Sequence, residues 1–101
     1  MSAAATVTAA ASGVLALSGE LTFATAARAL AEARAKLGTD VATLDLGGLA
    51  RADSAGLAVI IALVRDARSR GRALAIARMP AGLAALAQLS DMDKVLGLAV
   101  G

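Results

Sequence analysis

The segment 44–57 constrains the fold more than any other part of the sequence. It begins with an apolar strand, continues through the pair Gly47-Gly48, and reaches Asp53-Ser54 where a long apolar helix starts. We expect the glycine pair to turn the chain between the strand and the helix. The first turn of a helix offers unpaired backbone N–H groups and the positive end of the helix dipole, which favour an anion. The Ser54 hydroxyl is therefore predicted to be either a plain helix cap or a phosphate-accepting switch.

The composition excludes several functional classes. A length of 101 residues predicts a single domain over residues 1–101 with one modest core. Phe23 is the one aromatic residue and the net charge is only +2, so we expect no nucleic-acid partner. The chain has no cysteine and no histidine, and its acidic residues are scattered. We therefore expect no disulfide, no metal site and no cofactor.

Surface and membrane behaviour can also be predicted. Charged residues make up 18% of the chain, which is low for a free surface and indicates either a protein partner or alanine enrichment alone. The apolar run 57–64 is far shorter than the roughly 20 residues that span a bilayer. The apolar N-terminal segment lacks the basic region with which a signal peptide begins, and Gly13 and Gly19 interrupt it. We therefore do not expect it to act as a signal peptide. We expect a cytoplasmic protein that does not insert into the membrane.

Apolar periodicity predicts the element order β-β-α-β-α-β-α. The predicted strands are 5–11, 14–17, 41–46 and 72–78, and the predicted helices are 24–37, 54–70 and one that begins at Pro80. Thr22 or Thr25 caps the first helix. The segment 94–100 fits either a short strand or a helical turn. These elements predict an α/β fold with a mixed sheet of four to five strands, an opening hairpin followed by parallel strands, and helices mainly on one face.

The second predicted helix has two different sides. Its buried stripe is predicted to be Leu57, Ile60, Ile61, Val64 and Ala67, and its outer side to be Ala58, Val59, Ala62 and Asp66, with Arg65 beside it. A solvated helix face is normally richer in lysine and glutamate. The small outer residues therefore indicate either a partner-binding face or alanine's helix propensity alone.

Catalytic motifs are incomplete. Residues 52–56 have the outline of a nucleophile elbow, but the chain offers no histidine as a base. The two lysines, Lys36 and Lys94, lie far from Ser54 in the sequence. Neither a G-x-G-x-x-G loop nor a Gly-Lys-Ser/Thr loop is present. We expect no enzymatic activity.

The segment 44–57 resembles the signature of the STAS domain, in which a strand ending in Asp-Leu-Ser/Gly-Gly precedes an Asp-Ser/Thr-Ser/Ala-Gly-Leu helix start. The similarity extends to Leu-Ser-Gly-Glu-Leu-Thr at 17–22, Arg-Gly-Arg-Ala-Leu at 70–74 and Leu-Ala-Gln-Leu-Ser at 86–90. This resemblance implies a STAS-like α/β fold without catalysis. It also implies that the domain binds partner proteins, and that Ser54 is a candidate phosphorylation site.

Two branches of that family are relevant. The Asp-Ser-Ala-Gly-Leu-Ala run at 53–58 resembles the small cytoplasmic STAS subunit of the Mla-type phospholipid ABC transporter, which implies an adaptor that binds the ATPase subunit. Such an adaptor is held peripherally at the inner membrane through its complex. The alternative is an anti-sigma factor antagonist whose partner is a kinase. Ser54 stands where the transporter branch often has threonine, and Thr22 stands where aspartate is common.

The resemblance and the helix wheel together predict the partner-binding residues: Thr22, Arg51, Asp53, Ser54, Ala55, Gly56, Ala58, Val59, Ala62 and Arg65. Arg51 is predicted to supply a counter-charge to a phosphorylated Ser54. The apolar opening strand also allows a homodimer by strand pairing.

Overall fold

A computed structural model describes residues 4–97. The elements in chain order are β1 (Ala5–Ala11), β2 (Val14–Leu21), α1 (Ala26–Lys36), β3 (Thr43–Ala52), α2 (Ser54–Ser69), β4 (Ala75–Ala77) and α3 (Ala81–Leu89). They form a four-stranded sheet in the order β1-β2-β3-β4, antiparallel between β1 and β2 and parallel between the other neighbours. The predicted fold class and element order are confirmed. Residues 94–97 of the ambiguous segment form a turn, and 98–100 lie outside the described residues.

The helices cover one face of the sheet. Side chains alternate along a strand, so one set faces the helices and the other faces away. The helix-facing set is almost fully buried and comprises Leu15, Leu17 and Leu21 of β2 and Leu44 and Leu46 of β3. The buried hydrophobic residues are all aliphatic, because the single aromatic residue, Phe23, is exposed. Small buried alanines such as Ala29 and Ala33 let α1 approach the sheet closely. None of the helices formed by residues 4–97 is both long and apolar enough to cross a bilayer.

The pair Gly47-Gly48 lies inside β3, so the predicted turn is wrong. β2 runs to Leu21 rather than to residue 17, and β3 continues beside it, with Ser18 opposite Gly48. The physical reason for the glycines is close approach. A Cβ on Gly47 would collide with the Arg78 guanidinium, and one on Gly48 would come within 2.7 Å of the Ser18 Cβ. β3 therefore delivers the chain directly to α2.

α2 is rotated relative to the predicted helix wheel. Val59, predicted on the outer side, is only 3% exposed, and Leu63, absent from the predicted stripe, is fully buried. Ile61, predicted in the buried stripe, is only half-buried. The reason is that α2 lies between α1 and α3 and packs against both, so its side toward α1 is covered.

β4 is shorter than predicted because the backbone N–H of Arg72 bonds to the Ala67 carbonyl of α2 at 3.0 Å and not to a neighbouring strand. The Arg72 guanidinium donates to the carbonyls of Gly38 and Val41, at 2.7 Å each. These bonds tie the approach to β4 to the loop between α1 and β3. Pro80 occupies the N-cap position of α3, one residue before the helix begins.

Candidate partner-binding site

Asp53 is the N-cap of α2. Its Oδ1 accepts hydrogen bonds from the Ala55 N–H at 2.9 Å and the Gly56 N–H at 3.1 Å. Its Oδ2 accepts from the Phe23 N–H at 3.0 Å, which joins the loop before α1 to the start of α2. The Phe23 N–H, followed by those of Gly56 and Ala55, lowers the pKa of the Asp53 carboxyl below its usual range. Asp53 is therefore ionised at neutral pH and holds two elements together.

Ser54 is exposed and is the first residue of α2. Of the two roles predicted for Ser54, the helix cap is wrong, because the preceding Asp53 carboxylate already accepts the N–H groups of the first turn. The hydroxyl thus lies in solvent at a helix N-terminus, where added negative charge is favoured by the helix dipole. This is the position that the phosphate-switch hypothesis requires.

Gly56, one of the predicted partner-binding residues, is buried in the first turn of α2 rather than exposed. A Cβ at this position would collide with the backbone carbonyl of Leu21 at the end of β2. Glycine is needed here because the first turn of α2 packs directly on backbone rather than on a side chain. The role of Gly56 is to seat the helix that presents Ser54.

The loop from Thr22 to Thr25 is held by its own hydrogen bonds. The Thr25 hydroxyl accepts from the Thr22 N–H at 3.0 Å and donates to the Glu20 carbonyl at 2.7 Å. Thr25 stands at the N-cap position of α1, and Thr22, which is half-buried, accepts through its carbonyl from the N–H groups of Thr25 and Ala26. The loop therefore has a defined shape next to Asp53.

Phe23 is exposed beside the start of α2, although it is not among the predicted partner-binding residues. It is the only aromatic residue of the chain, and its side chain is 86% exposed. It borders an open apolar depression of about 420 Å³ between α1 and α2, which we call the α1–α2 groove. The groove is lined by Phe23, Ala26, Ala27, Leu30, Ala55, Ala58 and Val59. A lone aromatic residue in a chain with an aliphatic core was the signal that could have revealed it.

The other predicted site residues fall into separate places. Ala58 and Arg65 are exposed on α2 and Ala62 is half-buried, so this side remains accessible. Val59 is the floor of the α1–α2 groove rather than part of an outer face. Arg51 is exposed at the end of β3, in a separate depression that it shares with Pro80 of the α3 entry. The structure thus brings most of the predicted residues together along α2 and leaves Arg51 to one side.

The far end of the helix pair carries an ion pair. Arg34 of α1 and Asp66 of α2 meet at 2.7 Å between Nε and Oδ2. Within residues 4–97 no group of three or more potential metal-ligating side chains is present. The groups exposed around the start of α2 offer apolar contact and hydrogen bonding.

Comparison with known proteins places this geometry in context. A family model described as "Mlab, STAS domain" matches residues 4–98. The structure is similar to that of the anti-sigma factor antagonist SpoIIAA in its unphosphorylated form, with 15% identity, 93% of this chain and 99% of that chain covered, and a TM-score of 0.61. It is also similar to part of the murine Solute Carrier 26 family member A9 anion transporter in its inward-facing state. That match has 18% identity, covers 92% of this chain and 18% of the transporter, and has a TM-score of 0.57. No curated protein sequence matches the chain.

Proposed function

The chain belongs to the STAS domain family, and from that premise we propose that it is an adaptor that binds and regulates the ATPase subunit of an Mla-type lipid-transport ABC transporter. STAS domains are in general regulatory and non-catalytic, and the matching family model carries the Mlab description. In this proposal the protein works in the cytoplasm and is held at the inner membrane through its partner.

The proposal is supported by chemically different groups that are exposed together where the loop before α1 meets the start of α2. We call this region, with Phe23, Asp53 and Ser54, the helical corner. A hydroxyl at the start of α2, an aromatic ring and an apolar groove lie next to one another there. Exposed apolar surface is usually minimised unless a partner covers it, and aromatic residues contribute strongly to protein interfaces. In this proposal a change of charge at Ser54 alters the interface with the partner and leaves the core untouched, because Ser54 is exposed.

The proposed regulation follows from electrostatics. Phosphorylation of Ser54 would add about −1.5 to −2 charges at neutral pH. The N-terminus of α2 tolerates an anion, so the fold is retained. A partner that fits a neutral hydroxyl would have to desolvate this charge, and the neighbouring Asp53 carboxylate would repel it. Arg51, in a separate depression, is the nearest basic residue in the sequence.

The test is Ser54→Asp. We expect binding to the purified ATPase subunit to weaken at least tenfold, while the melting temperature stays within a few degrees of wild type, because the residue is exposed. Calorimetric titration measures the affinity and circular dichroism the melt. Ser54→Ala removes the hydroxyl without adding charge, and Ser69→Asp adds the same charge at the other end of α2. Both controls are expected to bind like wild type, and equal binding by Ser54→Asp would contradict the proposal.

An anti-sigma factor antagonist is the second candidate function. It is favoured by a serine at position 54, where the transporter branch often has threonine, and by an exposed hydroxyl that a kinase can reach. Incubation with the host's anti-sigma kinase and ATP, followed by mass spectrometry, measures phosphate on Ser54. Modification of Ser54, together with no binding to the ATPase subunit, would replace the first proposal by the second.

A further inference from the structure

We propose that Lys36 keeps the protein monomeric by blocking the free edge of β1, where a second copy of the chain would otherwise pair with it strand to strand. β1 (Ala5–Ala11) is at one end of the sheet, and β2 is its one neighbour among the described residues. The other edge of β1 therefore carries unpaired backbone groups. The role of Lys36 does not depend on the proposed function, because it concerns β1 and not α2.

β1 itself has few of the features that protect an edge strand. Protected edges are usually short, charged or interrupted by proline. β1 is seven residues long, and its sequence, Ala-Thr-Val-Thr-Ala-Ala-Ala, contains neither a charged residue nor proline. One irregularity, between Ala9 and Ala11, lies near its end. The segment 5–9 is therefore suited to pair with a further strand unless another element covers it.

Lys36 supplies this protection from α1. It is in the last turn of the helix, which packs against β1, and its Nζ donates to the Val7 carbonyl at 2.7 Å. Alternate residues of an edge strand turn their N–H and C=O groups away from the neighbouring strand, and the bond from Lys36 identifies Val7 as one of them. By the same alternation the backbone groups of Ala5 and Ala9 also face outward. The ammonium group thus lies at the centre of the segment that a further strand would need.

The neutral edge of β1 suits a second copy of the same chain. Antiparallel pairing of the two β1 strands about a two-fold axis would join two four-stranded sheets into one sheet of eight strands. Identical residues then lie opposite each other near the axis, so a charged strand would place like charges together. β1 carries no charge. Because each copy uses its β1 edge in the same contact, the pairing closes as a dimer.

Lys36 makes this pairing unfavourable for two reasons. A pairing strand has to displace the ammonium group from the Val7 carbonyl, and hydrogen bonds from charged donors are stronger than those between neutral groups. Pairing about Val7 would also bring the Lys36 ammonium groups of both copies to the same place, where they repel each other and lose water. Protection of the edge therefore depends on the charge and the reach of one side chain.

The experiment compares Lys36→Gln with wild type by sedimentation velocity over a series of protein concentrations. Glutamine keeps a polar side chain but removes the charge. We expect wild type to be a monomer and Lys36→Gln to form a dimer, with a dissociation constant at least tenfold lower. Amide hydrogen exchange, followed by NMR, locates the contact. The N–H groups of Ala5, Val7 and Ala9 should exchange more slowly in the Lys36→Gln dimer, because the second strand bonds them.

Matched variants separate the charge of Lys36 from its place. Lys36→Arg keeps a positive donor and is expected to stay monomeric. Arg28→Gln removes one charge from an exposed position near the start of α1 and is also expected to stay monomeric. Adding Thr8→Lys to Lys36→Gln places a charge on an exposed position of β1 and should restore the monomer. Circular dichroism confirms that each variant is folded.

Several results would overturn the proposed role of Lys36. These are a monomeric Lys36→Gln, a wild type that is already a dimer through β1, or equal dimerisation of Arg28→Gln. A Lys36→Gln dimer in which the Val7 amide exchanges as fast as in wild type would also overturn it, because another surface would then hold the copies together. Binding of the ATPase subunit is measured separately, so the adaptor proposal can fail or stand without changing this result.

Discussion

Asp45 lies in β3 and Asp53 follows directly after it as the N-cap of α2, and both have a carboxyl pKa below the usual range, but for different reasons. Asp45 is on the open face of the sheet and pairs with the Arg78 guanidinium at 2.9 and 2.7 Å. That side chain is the first cause of its lowered pKa. Asp53 is at the helical corner, and the first cause there is the Phe23 backbone N–H. The bond from the Phe23 N–H to Asp53 fixes the main chain, whereas the long Arg78 side chain can move away from Asp45. The helical corner is therefore preorganised and the open-face pair is adjustable.

Gly56 and Gly47 show the same difference between the helical corner and the open face of the sheet. Gly56, at the helical corner, leaves no space for a Cβ because the Leu21 backbone carbonyl fills it. Gly47, on the open face, leaves none because the Arg78 guanidinium lies there. A backbone carbonyl in a paired strand cannot retreat, but the end of an arginine side chain can. Replacement by alanine should therefore lower the free energy of unfolding more at Gly56 than at Gly47.

Gly56→Ala is predicted to have the largest effect on stability. Alanine in place of glycine normally stabilises a helix by about 0.5–1 kcal/mol. Here the added methyl group must displace α2 from β2, and overpacking of this kind costs about 1–3 kcal/mol. We expect a net loss of about 1–2 kcal/mol in the free energy of unfolding, measured by urea denaturation.

Gly47→Ala is the matched control. Arg78 can swing into solvent, so we expect a loss less than half of that for Gly56→Ala. Equal losses at the two positions would show that the open face is as rigid as the corner, and the contrast between the two regions would be wrong.

Asp53→Ala is predicted to have the next largest effect. It removes the acceptor for the Ala55, Gly56 and Phe23 N–H groups at once. Loss of a helix cap lowers the melting temperature of a domain of this size by roughly 4–8 °C. Hydrogen exchange at the Phe23 amide should also accelerate, because this N–H loses its bond to Asp53. Thermal melts and hydrogen-exchange mass spectrometry measure the two effects.

The pH dependence has a definite sign. A depressed pKa in the folded protein means that Asp53 stabilises the fold fully above its unfolded pKa of about 3.9, and that this contribution disappears as pH falls through the lower folded value. The difference in melting temperature between wild type and Asp53→Asn should therefore be constant near neutral pH and shrink below about pH 4. A difference that grows on acidification would contradict the hydrogen-bond assignment.

The sequence was sufficient to predict what depends on local pattern. Apolar periodicity gave the element order, and the Asp-Ser pair at 53–54 marked the start of α2 correctly. The parallel arrangement followed from the alternation of strands and helices. At the site, the accessibility of Ser54, Ala58 and Arg65 was also predicted correctly.

The errors arose where tertiary contacts decide. Glycine serves both tight turns and close approach, so Gly47-Gly48 was assigned to a turn although it lies in β3 opposite Ser18. The burial of Val59 depends on the position of α1, and the apolar periodicity of α2 alone does not predict that position. The position of the Phe23 backbone depends on a hydrogen bond to a residue 30 positions away. Sequence periodicity does not predict such long-range contacts.

Arg78→Ala is predicted to have the smallest effect. The Arg78 side chain is 70% exposed, and exposed ion pairs contribute little because water and salt screen them. We expect the melting temperature to fall by less than about 4 °C, with partner binding unchanged because the pair faces away from α2. In 1 M salt, where the Debye length is about 3 Å, most of the difference from wild type should vanish.

Arg78→Lys is the control that isolates the geometry of this pair. Arg78 has a φ of 54°, and both alanine and lysine retain the backbone strain of that left-handed conformation, so strain cancels between the two variants. Lysine keeps the charge but not the two-pronged contact with Asp45. Its melting temperature should fall between wild type and Arg78→Ala. A fall as large as that of Asp53→Ala in either variant would mean that the open-face pair fixes the end of β4 as firmly as Asp53 fixes the corner.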